Sequence, residues 1–218
     1  DPMIISGGSS SYLRANVSGG TGSYTYLWSP SSGLNNPNIQ SPIASPAETT
    51  TYTCTVVSGS ESDAASVTII VVLPPTDLSA EVDGANVELT WHAPDYVDTY
   101  NIYRDGELIA SDVVDESYTD VGLGEGLYEY TVTSVYEDIE SLSSTIATAI
   151  VYDLTVTTYA NPSIIGEGSQ TAISAYASGA SGTVTYSWTP ANSLENPNSS
   201  TTAAFPTETT TYTVTATC

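Results

Sequence analysis

The chain reads Tyr26-Leu-Trp-Ser-Pro-Ser-Ser-Gly-Leu-Asn-Asn-Pro-Asn38 and then, past Pro46, Glu48-Thr-Thr-Thr-Tyr-Thr53. The same text returns as Tyr186-Ser-Trp-Thr-Pro-Ala-Asn-Ser-Leu-Glu-Asn-Pro-Asn198, followed by Pro206 and Glu208-Thr-Thr-Thr-Tyr-Thr213. Every matching pair lies 160 positions apart without a gap: Trp28 with Trp188, Pro30 with Pro190, Leu34 with Leu194, Tyr52 with Tyr212. From Asp1/Asn161 to Ser58/Cys218, 26 of the 58 pairs are identical. Self-similarity at a fixed offset is the signature of tandem modules. The chain is therefore organised as copy, insert, copy.

That organisation divides the 218 residues into three modules, expected at 1–73, 74–151 and 152–218. Modules of roughly 60 to 80 residues bury only a thin core and are marginal without neighbours or cross-links. Thr, Ser, Val and Tyr dominate, Gly and Pro are frequent, and no long apolar stripe of helical period is present. An all-β chain of short strands is the expectation.

The formal net charge is −23; there is no Lys, and Arg14 and Arg104 are the two Arg residues. Such a surface lacks the cations that nucleic-acid phosphates or an anionic membrane require. Seventeen of the 25 acids fall between Asp77 and Glu140, so the charge belongs mainly to the insert. Strong acidity of this kind fits solubility and self-repulsion in an extracellular or salty medium. No apolar run reaches the length of a membrane span. With no basic-then-apolar leader at Asp1, the sequence is expected to be a mature form or a fragment. Two cysteines in different modules do not make a disulfide framework.

Along the first copy, Leu13, Ala15 and Val17 alternate with polar neighbours, which predicts a half-buried strand. Ser18-Gly-Gly-Thr-Gly22 is a turn, and Tyr24, Tyr26 and Trp28 fall on one face of the next strand. Pro30 to Pro46 has turn spacing and predicts a loop with a short edge strand. Thr51–Val57 and Ala65–Val72 form a closing pair, with Tyr52, Cys54 and Val56 on the inner face.

The Trp28, Pro30, Leu34, Asn36-Pro37-Asn38 and Thr49-Thr-Thr-Tyr52 motifs resemble the PKD-type immunoglobulin-like modules of large secreted and surface proteins of Bacteroidetes, including gliding-motility and adhesin-like chains exported by the type IX route. The resemblance covers both outer modules and implies an Ig-like sandwich; it does not select a function, because such modules are spacers in some chains and binders in others. Many relatives have Cys at the positions of Ile5 and Ile165, paired with a Cys in the late hairpin. That disulfide has no counterpart here.

After Leu73-Pro-Pro75 the texture changes. Val87, Leu89 and Trp91 alternate, Tyr100, Ile102 and Tyr103 open the next strand, and Arg104-Asp105-Gly106-Glu107 is a two-residue hairpin signal. With Tyr118 to Leu123, Gly126, Tyr128-Glu-Tyr130 and Val132, the insert resembles a fibronectin type III module, whose tyrosine corner would sit at the Tyr-x-Tyr strand. The loop before Tyr128 is one residue shorter than in common relatives. Short junctions free of Gly/Ser runs imply an extended, semi-rigid rod.

Each copy lacks something the other has. The final copy has no counterpart of Ser60–Leu73, and the first has none of Asp153–Ala160. A sandwich without an edge partner exposes unpaired backbone groups. Truncation of a longer chain is one explanation, and strand donation from a neighbour, polymerising the protein, is the other.

Candidate chemistry is sparse. His92 is the single histidine, on the face of its strand opposite Trp91, with no second ligand nearby for a metal and no partner set for a nucleophilic serine. Cys54 aligns with Val214 and reads as a small buried apolar residue, and Cys218 is either free or paired elsewhere. Asp95, Asp98, Asp112, Asp115, Glu116 and Asp120 cluster in loops of the insert and are the calcium candidates. They lack the spacing of a dedicated calcium loop, so solvated charge is the plainer assignment and no cofactor is expected. Tyr24, Tyr26, Trp28, Tyr186 and Trp188 would stack sugars if they faced outward and form core if they faced inward. Asn16-Val-Ser18 and Asn198-Ser-Ser200 are glycosylation sequons, of consequence only in a glycosylating host.

The expectation is therefore an all-β chain of three tandem Ig-like β-sandwich modules, not an enzyme. It would serve as a structural or adhesive segment of a large secreted or cell-surface bacterial repeat protein, a stalk or adhesin array. Its partners would be neighbouring modules of the same or identical chains, or cell-surface or polysaccharide ligands, with no nucleic acid and no membrane insertion. A strand-donated filament subunit and the carbohydrate-contacting accessory region of a secreted hydrolase are the alternatives.

Overall fold

The computed structural model describes residues 3–218, and within them every regular element is a β-strand. The N-terminal stretch forms β1 (Ile4–Ser6), β2 (Ser11–Tyr12), β3 (Thr25–Ser29), β4 (Ile43–Ala44), β5 (Thr50–Ser58) and β6 (Glu61–Val72). One sheet has the order β1-β6-β5-β3, and β2 pairs with β4 opposite it. The β1–β6 ladder is parallel, joining Ile4 to Ile70 and Ile5 to Val71, and the β5–β6 ladder is antiparallel. Ile5, Leu13, Trp28, Ala44, Tyr52, Cys54, Ile69 and Val71 fill the space between.

The middle stretch forms β7 (Thr76–Asp83), β8 (Asn86–His92), β9 (Thr99–Arg104), β10 (Glu107–Val113), β11 (Ser117–Asp120), β12 (Gly126–Tyr136), β13 (Ile139–Glu140) and β14 (Ala147–Val151). Its two sheets run β11-β8-β7 and β10-β9-β12-β13, with β14 also pairing with β12. The alternation read in β8 holds: Val87, Leu89 and Trp91 are buried while Glu88, Thr90 and His92 are exposed. Asp105 and Gly106 both have positive φ, 52° and 81°, as a two-residue primed turn requires.

The C-terminal stretch forms β15 (Thr155–Asn161), β16 (Thr171–Ser178), β17 (Thr185–Thr189), β18 (Thr201–Ala204) and β19 (Thr213–Thr217), in sheets β15-β16-β18 and β17-β19. By packing, the chain forms two compact units. One holds the residues up to Glu81, Val87–Asp120 and Tyr128–Ala149, and the other holds Val82–Asn86, Val121–Leu127 and Ile150–Cys218.

The repeated text builds the same local structure twice. The Trp28 indole N–H donates to the Ile39 carbonyl at 3.0 Å, and that of Trp188 to the Ser199 carbonyl at 2.9 Å. The backbone N–H groups of the two tryptophans reach Pro37 and Pro197, each at 2.8 Å. Asn36 and Asn196 each accept from the N–H two residues on, closing the Asn-Pro-Asn turn. Leu34 bridges Ala44, and Leu194 bridges Ala204. The Pro30-to-Pro46 loop is thus a strap that satisfies a buried indole, which otherwise carries an unpaired donor into the core.

One expected strand is only partly formed. Leu13, Ala15 and Val17 have the predicted alternation of burial, but ladder pairing stops at Tyr12. Leu13 and Ala15 bond instead to the carbonyls of Pro42 and Gln40. The equivalent stretch of the second copy is the full strand β16, because β15 pairs with it along seven residues. Pattern decided the burial, and the partner decided the strand.

Replacing Trp28 or Trp188 with Phe is expected to cost about 1–3 kcal/mol in each case, since the strap carbonyl loses its donor. Denaturant unfolding monitored by circular dichroism measures it, and an unchanged midpoint for both variants contradicts the role given to the indole N–H.

Candidate functional site

Two carboxylates of the middle stretch, Asp120 and Glu140, are held by several groups of its own framework. Asp120, almost wholly buried at 7% exposure, accepts from the Arg104 guanidinium at 2.7 Å and from the Tyr130 hydroxyl at 2.9 Å. Tyr130 has no exposed surface, and Arg104 also lies over the Tyr128 ring, 5.8 Å from its centre. The hydrogen bond to Asp120 holds the Arg104 pKa above its ordinary value; burial, and then the same carboxylate, push that of Tyr130 far up. Of the Tyr-x-Tyr pair at which the resemblance implies a tyrosine corner, Tyr130 is the buried member, and its hydroxyl donates to a side-chain carboxylate.

A second cluster sits where β9, β12 and β13 meet. Glu140 Oε1 accepts from Asn101 at 3.0 Å, from Tyr103 at 2.8 Å and from Thr133 at 2.5 Å. Burial alone would raise the Glu140 pKa, but the three donors together outweigh it and hold the carboxyl below its ordinary value. Sequence reasoning missed this cluster, because its members are joined only through strand register. The one available signal was polar residues at alternate positions of strands that are otherwise apolar.

The six calcium candidates are dispersed. Asp120 belongs to the buried triad, Asp98 accepts from the Glu137 N–H, Glu116 accepts from the Ala93 N–H, and Asp112 accepts from the Ser111 hydroxyl. Asp95 and Asp115 are exposed. No group of three or more His, Cys, Asp or Glu side chains converges on a metal position among the described residues. His92 faces solvent, 3.4 Å from the exposed Asp77 carboxylate. Cys54 is buried and Cys218 exposed, both as free thiols.

The aromatic stripe faces inward. Trp28 and Trp188 are buried, and Tyr26 and Tyr186 pack against the two cores. Exposed aromatics occur elsewhere: Tyr159 on β15 and Tyr176 on β16 stand 5.9 Å apart, edge to face, at 64% and 63% exposure.

Two concavities flank the repeated cores. In the first copy a cleft of about 790 Å³ is lined by Ala15, Val17, Tyr24, Val56 and Val67, with Arg14 at its border. In the second a groove of about 480 Å³ runs between Ile164, Ile165 and Ile173 on one side and Pro206, Thr209 and Tyr212 on the other.

No family model matches the sequence. An amylopullulanase of Thermoanaerobacter thermohydrosulfuricus is 42% identical over 72 residues, which is 30% of this chain and 5% of that protein. The chain thus spans a small fraction of its curated relative. Among solved structures, an Fn3-like protein from Clostridium thermocellum is 35% identical, covering 35% of this chain and 90% of that one at a TM-score of 0.34. Domains A168–A170 of titin are 14% identical over 69% of this chain and 61% of that one, at a TM-score of 0.39. The chain contains an Fn3/Ig-type β-sandwich module.

Two outcomes follow for the polar clusters. Arg104→Ala leaves the Asp120 carboxylate buried without its cation and is expected to cost about 3–5 kcal/mol, against about 1–3 kcal/mol for Tyr130→Phe. Equal effects in chemical denaturation contradict the triad. The Glu140 pKa is lower folded than unfolded, so its contribution is present above the ordinary carboxylate range, about pH 4.3, and is lost as pH falls through the lower folded value. Glu140→Gln is expected to flatten that acid limb, and an unchanged limb removes Glu140 from the account.

Proposed function

We propose that the chain is a non-catalytic run of three sandwich modules, 1–73, 74–151 and 152–218, within a secreted or cell-surface protein, where it spaces or presents other parts. The observation that carries this is where the polar groups go. Asp120, Glu140, Arg104 and the indole donors of Trp28 and Trp188 each satisfy another part of the framework, which is what a scaffold requires. The strong acidity suits an extracellular medium. The repeated copies around an Fn3/Ig-type insert support an array, and the PKD-type, Bacteroidetes and adhesin assignments rest on the sequence resemblance.

A carbohydrate-contacting accessory role is the second reading, favoured by the exposed Tyr159/Tyr176 pair and by the likeness to an amylopullulanase. Adjacent exposed rings on a strand face offer an apolar surface to a sugar.

Affinity electrophoresis through pullulan and amylopectin, run beside reducing-sugar assays, tests both. The spacer reading expects neither retardation nor hydrolysis. Retardation abolished by Tyr159→Ala/Tyr176→Ala selects the accessory role, and sugar release proportional to protein concentration overturns the non-catalytic proposal. For the module boundaries, residues 74–151 expressed alone are expected to unfold in one cooperative transition. A disordered product contradicts the division.

A further inference from the structure

The repeat is an internal control on which side chains the sandwich itself requires. In the last copy β15 and β16 pair so that Tyr159 lies opposite Ser174 and Thr157 opposite Tyr176. Ile173 and Ala175 of β16 belong to the core, so Thr157, Tyr159, Ser174 and Tyr176 share the outward face. The inward positions match in kind between the copies, Leu13 with Ile173 and Ala15 with Ala175. The outward ones do not, since Ser174 and Tyr176 stand where the first copy has Arg14 and Asn16. Packing therefore does not call for a ring at position 176, yet Tyr159 and Tyr176 meet edge to face and are largely open to water.

Their surroundings are hydroxyls, not charges. Thr155 Oγ1 and Ser178 Oγ lie 2.7 Å apart at one end of the face, and the Thr201 hydroxyl donates to Ser174 Oγ at 3.2 Å on the β18 side. Asp153, Glu167, Glu195 and Glu208 are the four acids after Tyr152, and none falls on a strand. In a chain of net charge −23, these strands form a neutral face.

We infer that this face is a subsite for one pyranose unit of a neutral, soluble glycan whose successive units are turned against each other, as in an α-linked glucan. The inference rests on the accessory reading above and narrows its ligand. The C–H face of a sugar stacks on an aromatic ring, whose negative face attracts the positively polarised hydrogens. Here the ring planes meet at 73°, with centres 5.9 Å apart. A flat ribbon, such as a β-linked chain in a crystalline sheet, lies along coplanar rings and cannot rest on both of these. A single unit seated on one ring with its rim against the other can, and the chain leaves the corner turned. The flanking Ser and Thr hydroxyls both donate and accept, so they match sugar hydroxyls without selecting a charge. An anionic glycan finds no cation on these strands and is repelled by the chain as a whole.

The test titrates the 218-residue chain with maltoheptaose, cellohexaose and oligogalacturonate, followed by amide chemical shifts. Saturable changes are expected with maltoheptaose at Thr157–Tyr159 and Ser174–Tyr176, and none there with the other two. Tyr159→Phe/Tyr176→Phe keeps the rings and is expected to bind equally. Tyr159→Ala/Tyr176→Ala is expected to bind roughly 10-fold more weakly, since two stacking contacts are lost. The shift map and the Phe variant decide even where the Ala variant fails to fold. Equal binding of cellohexaose at the tyrosines, or maltoheptaose binding that maps to another face, overturns the inference and leaves the accessory reading standing. Absence of changes with all three also overturns it, and the accessory reading falls with it only where pullulan and amylopectin give no retardation either.

Discussion

A β-sandwich core is covered only when both sheets have their full complement of strands, and this chain shows what one strand is worth. Thr49-Thr-Thr-Tyr-Thr53 and Thr209-Thr-Thr-Tyr-Thr213 are the same pentapeptide. In the first, Thr50–Thr53 pair with β6 and Thr53 also with β3, and the tyrosine is wholly buried; in the second, among the described residues, Thr213 alone is in a ladder, with β17, and the tyrosine is partly open. Side-chain identity does not distinguish them. The difference is the neighbour, which supplies ladder bonds to the backbone and removes apolar surface from water in one step.

Around that constraint the remaining structure commits its polar groups to closure. The tryptophan strap is built identically in both copies, because a buried indole needs an acceptor and the Asn-Pro-Asn turn brings a carbonyl to it. In the middle stretch, burial of Asp120 is tolerated because one cation and one hydroxyl meet it directly. Tyr52, Tyr100, Tyr103 and Tyr130 all have pKa values raised first by burial. Their contribution is intact below about pH 10 and is lost above it, as the unfolded tyrosines ionise first.

Much of this was legible in the sequence, for identifiable reasons. The repeat placed Trp28, Tyr52 and their partners, since identical spacing under identical turn chemistry leaves little freedom. The Asp105-Gly106 hairpin was readable because its φ demands are local. The strand expected at Leu13 to Val17 failed as a ladder, although its burial pattern was right, because pairing depends on a partner far away in sequence. Asp120 reads in the sequence as one loop acid among six, and nothing there singles out Glu140. The role of Asp120 comes from contact between the two sheets and that of Glu140 from strand register, neither of which composition and spacing report.

The most direct measurement compares one repeat position in its two settings by thiol labelling. In the Cys218→Ser/Val214→Cys variant, Cys54 and the new thiol occupy equivalent places on β5 and β19, and burial already pushes the Cys54 thiol up in pKa. The account predicts that the thiol at position 214 reacts with Ellman's reagent in the native state roughly 100-fold faster than Cys54, which waits for unfolding. Equal reactivity of the two would show that coverage by β6 does not govern the core, and the central claim would fall.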